Sequence, residues 1–387
     1  MEERARQRAE RRNKRESYFD YSLLFIIIFL LCFGLVMIYS ASSYEAQTEI
    51  GNAFYYVKKQ LLATIMGLVA MFFVTKLDYH IWYRFSVFAY VLSGILIVLV
   101  LTPLGIEANG ARRWLNLGLS LQPAEVAKLG SILFFSFVVC RMGKKVHKIQ
   151  ATILLLALAS PIVLMILLIT KNLSSAIIVL GIVCLMIFVA TPYYKRYFVL
   201  VAIAVIAAVG LVYLLVSGII PEEASFRFGR IIAWLHPEDY PDTTGFQTLQ
   251  ALYAIGSGGV LGKGLGASMQ KLGFLPEAQN DMIFSIICEE LGLFGAVAVI
   301  LLFLLMIWRF MVVANNAPDL YGALIVVGVM AHIAIQVVLN IAVVTNSIPN
   351  TGISLPFISY GGSSVMFLLI EMGMVLSVSR RIKLDHT

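Results

Sequence analysis

The sequence predicts an all-α integral membrane protein with about ten transmembrane helices and one long extracellular loop between helices 7 and 8. Three observations carry this fold class. Of the 387 residues, 60% are apolar and only 13% are charged, about half the charge that soluble domains carry. The apolar residues gather in ten runs, each near the ~20 residues that a helix needs to cross a bilayer. With the amino terminus placed inside, 19 of the 29 Lys and Arg residues fall on inner segments, the bias that orients membrane proteins.

The elements follow in order. Residues 1–19, MEERARQRAERRNKRESYF, are polar and cationic. A signal peptide has a shorter charged region and a small-residue cleavage site, so the run from Tyr21 to Tyr39 reads as an uncleaved first helix. Further runs cover 58–75, 83–102, 126–140, 151–169, 174–191, 197–217, 282–308, 320–345 and 359–379. In lipid the backbone must satisfy its own hydrogen bonds, so these runs are helices. The ten-residue alternation of an outer-membrane barrel is absent. The chain divides into a cytoplasmic basic segment (1–19), a polytopic membrane domain (20–380) and a short cytoplasmic tail (381–387). The net charge of +7 is concentrated on inner segments, which points to anionic lipid and excludes nucleic acid. Cys32, Cys140, Cys184 and Cys288 lie in or beside apolar runs without a C-x-x-C pair. They read as small buried hydrophobes, and no structural metal site is expected.

Two outer connections stand out, Pro103–Glu125 and the much longer 217–281 loop; long connections in compact folds are usually functional. The second contains GSGGVLGKGLGA. Its formal G-x-G-x-x-A lacks the strand–helix setting of a dinucleotide site, and Lys263 is followed by Gly264 rather than Ser or Thr, which rules out a P-loop. It reads either as a turn-rich connection or as backbone that approaches a substrate closely.

Ionisable residues at membrane depth are costly and mark function by default. Glu125 and Lys128 are spaced i,i+3 at the start of the fourth helix and share a face. They form either a salt bridge that orients the helix or a functional pair. Glu289 and Glu290 are adjacent in the eighth helix and point about 100° apart, so they are not expected to serve one site. Glu371 has no obvious partner, and Lys171 stands out by depth alone. His332, Gln336 and Asn340 form a polar stripe on the ninth helix that should face the bundle interior. Asp281 opens the eighth helix after FLPEAQN. It suits an N-cap, but its neighbours Glu277, Gln279 and Asn280 exceed what a cap needs. Beneath a loop bearing Arg227, Arg230, Lys263 and Lys271, its carboxylate fits a general base, with the cations holding a phosphate-bearing lipid.

The strings NGARRWLNLGLSLQPAEVAKL, FQTLQALYAIGSGGVLGKGLG, QKLGFLPEAQNDMIF, EELG and IPNTGISLPFISYGGSS resemble the SEDS family (shape, elongation, division and sporulation), and are closer to its FtsW and SpoVE branch than to RodA. The resemblance implies a bacterial plasma-membrane peptidoglycan glycosyltransferase with both termini cytoplasmic. It implies polymerisation of lipid II onto undecaprenyl-pyrophosphate-linked glycan at the outer face, alongside a class B penicillin-binding protein and other cell-wall or divisome membrane proteins. It places the catalytic aspartate on Asp281, the acid–lysine pair on Glu125 and Lys128, loop arginines on Arg227 and Arg230, and Tyr360 in the last signature. Ala124 departs from the family's usual Ser, and Thr170-Lys171-Asn172 departs from its usual acid or amide, Pro, Asp. Any role of that acid does not carry over.

For a polymerase, Asp281 would take the proton of the attacking GlcNAc 4-hydroxyl in a single inverting displacement. Arg or Lys and a divalent cation, Mg2+ or Mn2+, would offset the leaving diphosphate. An ordinary Asp is a weak base at neutral pH; burial or nearby Glu277 would raise its pKa. The alternative is a lipid II flippase. A flippase should spread polar residues along a path through the bilayer, whereas Asp281 and the loop cations concentrate outside.

Overall fold

The computed structural model describes residues 18–108, 111–116, 120–193, 226–241 and 245–383, with a few isolated positions between 198 and 213. Among these, nine helices are long and apolar enough to cross a membrane. They are α1 (Tyr21–Ile50), α2 (Tyr55–Lys76), α3 (His80–Leu99), α4 (Pro123–Met142), α5 (Ile149–Leu168), α6 (Leu173–Ala190), α9 (Ile283–Asn315), α10 (Leu320–Val344) and α11 (Gly362–Ser379). Two shorter helices, α7 (Phe226–Leu235) and α8 (Phe246–Gly258), lie in the connection before α9. The chain is a multi-pass, mostly helical membrane protein. Most of the expected helix over 197–217, most of the basic head, residues 217–225 and 242–244, and the end of the tail lie outside the described residues.

Several bounds differ from expectation for identifiable reasons. The first helix runs to Ile50 rather than Tyr39, because nothing in SASSYEAQTE breaks a helix before Gly51 caps it with a left-handed φ of 77°. The fourth starts at Pro123, since Pro fits the first helical turn where no N–H is needed. The Pro103–Glu125 connection, expected as a loop, holds a three-stranded antiparallel sheet: β1 (Gly105–Ala108), β2 (Ala111–Asn116) and β3 (Ser120–Leu121), in the order β1-β2-β3.

α10 is the axis of the bundle and packs against α4, α6, α9 and α11. Its polar stripe faces inward, with His332, Gln336 and Asn340 all buried. α11 lies along α2 and needs small residues there. A Cβ at Gly67 would sit 2.6 Å from Leu369, and one at Gly373 would sit 2.8 Å from the Met71 carbonyl. Without a hydrophobic drive between helices in lipid, such close approach supplies the packing energy. At the other end, Asp20 caps α1 by accepting from the Leu23 N–H at 2.9 Å. It also pairs with Arg309 of α9 at 2.8 Å, which ties the start of the bundle to its later helices.

α9 is broken at Gly292, whose φ of 67° and ψ of −165° are not helical. A break frees carbonyls and N–H groups that cost several kcal/mol each if unmet in lipid. The Gly-rich segment after α8 meets them. Lys263 and Gly264 donate from their N–H groups to the Glu289 and Glu290 carbonyls, both at 2.9 Å. Leu293 and Phe294 donate to the Gly259 and Val260 carbonyls at 2.9 and 3.2 Å. The fit admits no side chain at Gly262, where φ is +78° and a Cβ would lie 2.2 Å from the Glu290 carbonyl oxygen. The later part of the 217–281 connection is therefore stitched into the bundle.

Candidate active site

The site assembles where the segment before α9 meets the segment between α10 and α11. Asp281 does not cap α9: the N-cap residue is Met282, with no side-chain cap bond. The Asp281 carbonyl accepts from Asn340 Nδ2 at 2.8 Å, and the same amide donates to the Ile353 carbonyl at 2.7 Å. Asp281 Oδ1 is buried. Its Oδ2 faces Gly352, where a Cβ would come within 3.7 Å and where φ is +67°. One face of the carboxylate is thus bounded by backbone that has no side chain.

Neighbouring bonds fix this junction. The Tyr360 N–H donates to the Gln279 carbonyl at 2.9 Å. Gln60 of α2 accepts from the Gly361 N–H at 3.0 Å and donates to the Ser359 carbonyl at 3.4 Å. Gln247 of α8 accepts from Asn350 at 2.7 Å and donates to the Pro276 carbonyl at 3.2 Å. Burial holds the Tyr360 hydroxyl above the usual phenol range, so it is a neutral hydrogen-bonding group at physiological pH.

Glu125 and Lys128 form a buried ion pair at 2.8 Å, with side chains 6% and 2% exposed. Lys128 also reaches Gln336 Oε1, and Ser364 donates to Glu125 Oε2, both at 3.4 Å. Gln336 and Asn340 are one turn apart, so the ion pair and Asp281 hang from adjacent turns of α10. Glu277 is exposed, with φ of 55°, and accepts from the Asn280 amide. Arg227 and Arg230 lie on α7, and their side chains are outside the described set.

The Lys263 ammonium lies 2.7 Å from Glu289 Oε1, so its charge is balanced by that carboxylate in this structure. Lys271 likewise pairs with Glu290 at 2.8 Å, and Ser40 adds a bond to the same carboxylate at 2.7 Å. The two adjacent glutamates point apart as expected, yet they serve one structure: each holds one lysine of the stitched segment. The ideal-helix picture missed the break at Gly292, which opens room for that segment. Glu371 does have a partner, His332, at 2.8 Å. Lys171 is exposed and has a positive φ of 50°.

The described residues form no ready-made cage for a resident divalent cation. Among those described, no three His, Cys, Asp or Glu side chains come together in a group able to hold one. Mg2+ binds proteins through few carboxylates plus phosphate and water, so an ion here would have to come with a diphosphate.

The family model described as "Cell cycle protein", named for FtsW, RodA and SpoVE, matches residues 21–384. The chain belongs to this family. It is similar to stage V sporulation protein E of Bacillus subtilis strain 168, at 40% identity over 93% of this chain and 97% of the relative. It is also similar to the probable peptidoglycan glycosyltransferase FtsW of Trichlorobacter lovleyi, at 36% identity over 95% and 94% of the two chains. Among solved structures, a chain from a peptidoglycan synthase complex coordinating polymerization and crosslinking superposes with a TM-score of 0.77 at 28% identity, covering 95% and 99% of the two chains. The rod shape determining protein RodA of Thermus thermophilus gives 0.67 at 28% identity, covering 95% and 98%. The FtsW and SpoVE likeness expected from the signature strings agrees with these relatives. In this FtsW/RodA/SpoVE-family chain the signature strings mark the pinned junction around Asp281 and the stitch at Gly292.

Proposed function

We propose that this protein is a peptidoglycan glycosyltransferase that polymerises lipid II at the outer face of the bacterial plasma membrane, with Asp281 as general base. The observation that carries this reading is Asp281 itself: its carboxylate faces Gly352, and its backbone carbonyl is held by Asn340, one turn of α10 from the Gln336 that meets the buried acid–lysine pair. Family membership supplies the reaction class. The acceptor is the 4-hydroxyl of a GlcNAc on lipid II, and the donor is the anomeric carbon of a glycan on undecaprenyl pyrophosphate. Asp281 takes the hydroxyl proton as oxygen attacks. The C–O bond to the diphosphate breaks on the opposite face, so configuration inverts. Arg227 and Arg230 offset the departing charge. The Glu125–Lys128 pair keeps a fixed dipole beside the site without needing solvent to reorganise. Mg2+ or Mn2+ reaches the site only with the diphosphate.

Both termini face the cytoplasm in this reading, which follows from the Lys and Arg bias. The protein works with a class B penicillin-binding protein and other cell-wall or divisome membrane proteins. A flippase is disfavoured because, among the described residues, the buried ionisable groups of the bundle are paired with one another instead of lining a passage. The deciding experiment incubates purified protein with fluorescent lipid II, with and without a class B penicillin-binding protein. Glycan polymer, increased tenfold or more by a partner whose transpeptidase serine has been inactivated, is expected. Headgroup translocation across vesicles without any polymer would overturn the reading.

A further inference from the structure

Below Asp281, α10 carries more polar contacts than interhelical adhesion requires. Its three stripe residues sit at successive turns, and each holds a different piece of the bundle. Asn340 holds the Asp281 and Ile353 carbonyls. Gln336 donates to the Ser354 carbonyl at 3.0 Å, while its Oε1 faces Lys128 at 3.4 Å and His332 Nε2 at 2.9 Å. His332 Nδ1 meets Glu371 at 2.8 Å. Exposure of these residues is 2% or less.

The donors and acceptors fix the protons. The Ser354 carbonyl can only accept, so the Gln336 NH2 must point to it and Oε1 must point the other way. Oε1 also only accepts, so His332 Nε2 carries a hydrogen. A second proton lies between Nδ1 and Glu371, on either atom. A neutral acid at Glu371 with neutral His332, or a carboxylate with imidazolium, gives the same total charge. In both cases the Nε2–H is aimed at Gln336.

We propose that Glu371 and His332 are positioning residues that act through Gln336 on the Glu125–Lys128 pair, with Asn340 the adjoining rung that places Asp281. The inference rests on the base assignment proposed above. Glu371 belongs to α11, the ion pair to α4 and Asp281 to the segment before α9, and α10 touches all three. The protein thereby sets its outer site from a proton-sharing pair buried deep in the bundle. That explains why two ionisable groups are kept where they are expensive. None of the ladder residues need touch substrate.

The test compares Glu371→Leu with Glu371→Gln in the purified full-length protein, polymerising fluorescent lipid II. Glu371→Gln keeps the contact, since its amide donates to Nδ1 while Nε2–H stays on Gln336. Expected are a fall in kcat of tenfold or more for Glu371→Leu with KM within twofold, and recovery to at least a third of wild-type kcat for Glu371→Gln. Wild-type kcat in Glu371→Leu, a loss confined to KM, or equal failure of both variants would overturn the proposal. Should Glu371→Leu not fold, Gln336→Met takes its place, with the same kcat fall expected and an unchanged kcat contradicting the ladder. Asp281→Asn is run in parallel. Full activity there removes the base assignment, and the ladder is then judged by the thermal unfolding of Gln336→Met, Lys128→Met and the double variant. A double variant less destabilised than the two singles combined supports it, and strict additivity overturns it.

Discussion

Gly262→Ala tests the stitch that anchors the connection before α9. The added Cβ would lie 2.2 Å from the Glu290 carbonyl oxygen and 2.5 Å from its carbon, at a residue whose φ is +78°. Relief requires a backbone shift of about 1 Å, since carbon–oxygen contacts settle well above 3 Å. That shift breaks the two 2.9 Å bonds from Lys263 and Gly264, at about 1 kcal/mol net each. The left-handed backbone adds about 1 kcal/mol. The local cost is therefore about 3 kcal/mol. It rises further if the segment leaves, because Glu289 and Glu290, both fully buried, would lose their lysines. Residues 265–282 hang from this anchor and include Asp281. A displacement of about 1 Å at a reacting group costs roughly a hundredfold in rate. The assay is polymerisation of fluorescent lipid II, with thermal unfolding of the same preparation. Gly256→Ala is the control: Gly256 is an exposed glycine of α8 with nothing within 4 Å of its added Cβ. It should be neutral or stabilised by up to about 1 kcal/mol. Wild-type activity and stability in Gly262→Ala would refute the stitched arrangement.

Two further outcomes are expected. Lys128→Met or Glu125→Gln alone should destabilise by about 3–5 kcal/mol, because each leaves a buried charge unpaired; the double variant should cost clearly less than the sum, as read in a thermal-unfolding cycle. At the end of the bundle where α10 begins, burial pushes the Asp319 carboxyl up, but the Tyr79 hydroxyl, the Gly322 N–H and His80 outweigh it and hold it below the usual carboxylate range. A lowered folded value stabilises the protein above the unfolded carboxylate pKa, and the contribution fades as pH falls through the folded value. Asp319→Asn should therefore unfold more readily than wild type at pH 7, with the difference shrinking below about pH 4; a constant gap across that range would contradict the assignment.

The helices were legible because burial in lipid writes long apolar runs into a sequence, and the inward stripe of α10 was legible from its four-residue spacing. The three-stranded sheet was not, since strands of two to six residues leave no alternation long enough to read. At the site, the Glu125–Lys128 pair followed from helical geometry alone. The shared role of Glu289 and Glu290 in holding the stitched segment was not legible, because an unbroken helix through Gly292 leaves no room for that segment. The Lys263–Glu289 pairing was not legible, because the partner is 26 residues away and nothing local signals it. Gln60 and Gln247, which pin the junction, went unnoticed. A single amide in a helix carries no pattern, and Gln60 follows Lys58 and Lys59 at the polar start of α2.

The central claim is that the Asp281 carboxylate removes a proton during glycosyl transfer. Asp281→Asn preserves the side-chain shape and leaves the backbone carbonyl that Asn340 holds, but it removes the proton acceptor. The decisive measurement is the polymerisation rate of purified Asp281→Asn on fluorescent lipid II, together with its thermal unfolding. Loss of polymer by at least a hundredfold in a protein that unfolds like wild type is the predicted result. Near-normal polymer from the folded Asn variant would contradict it.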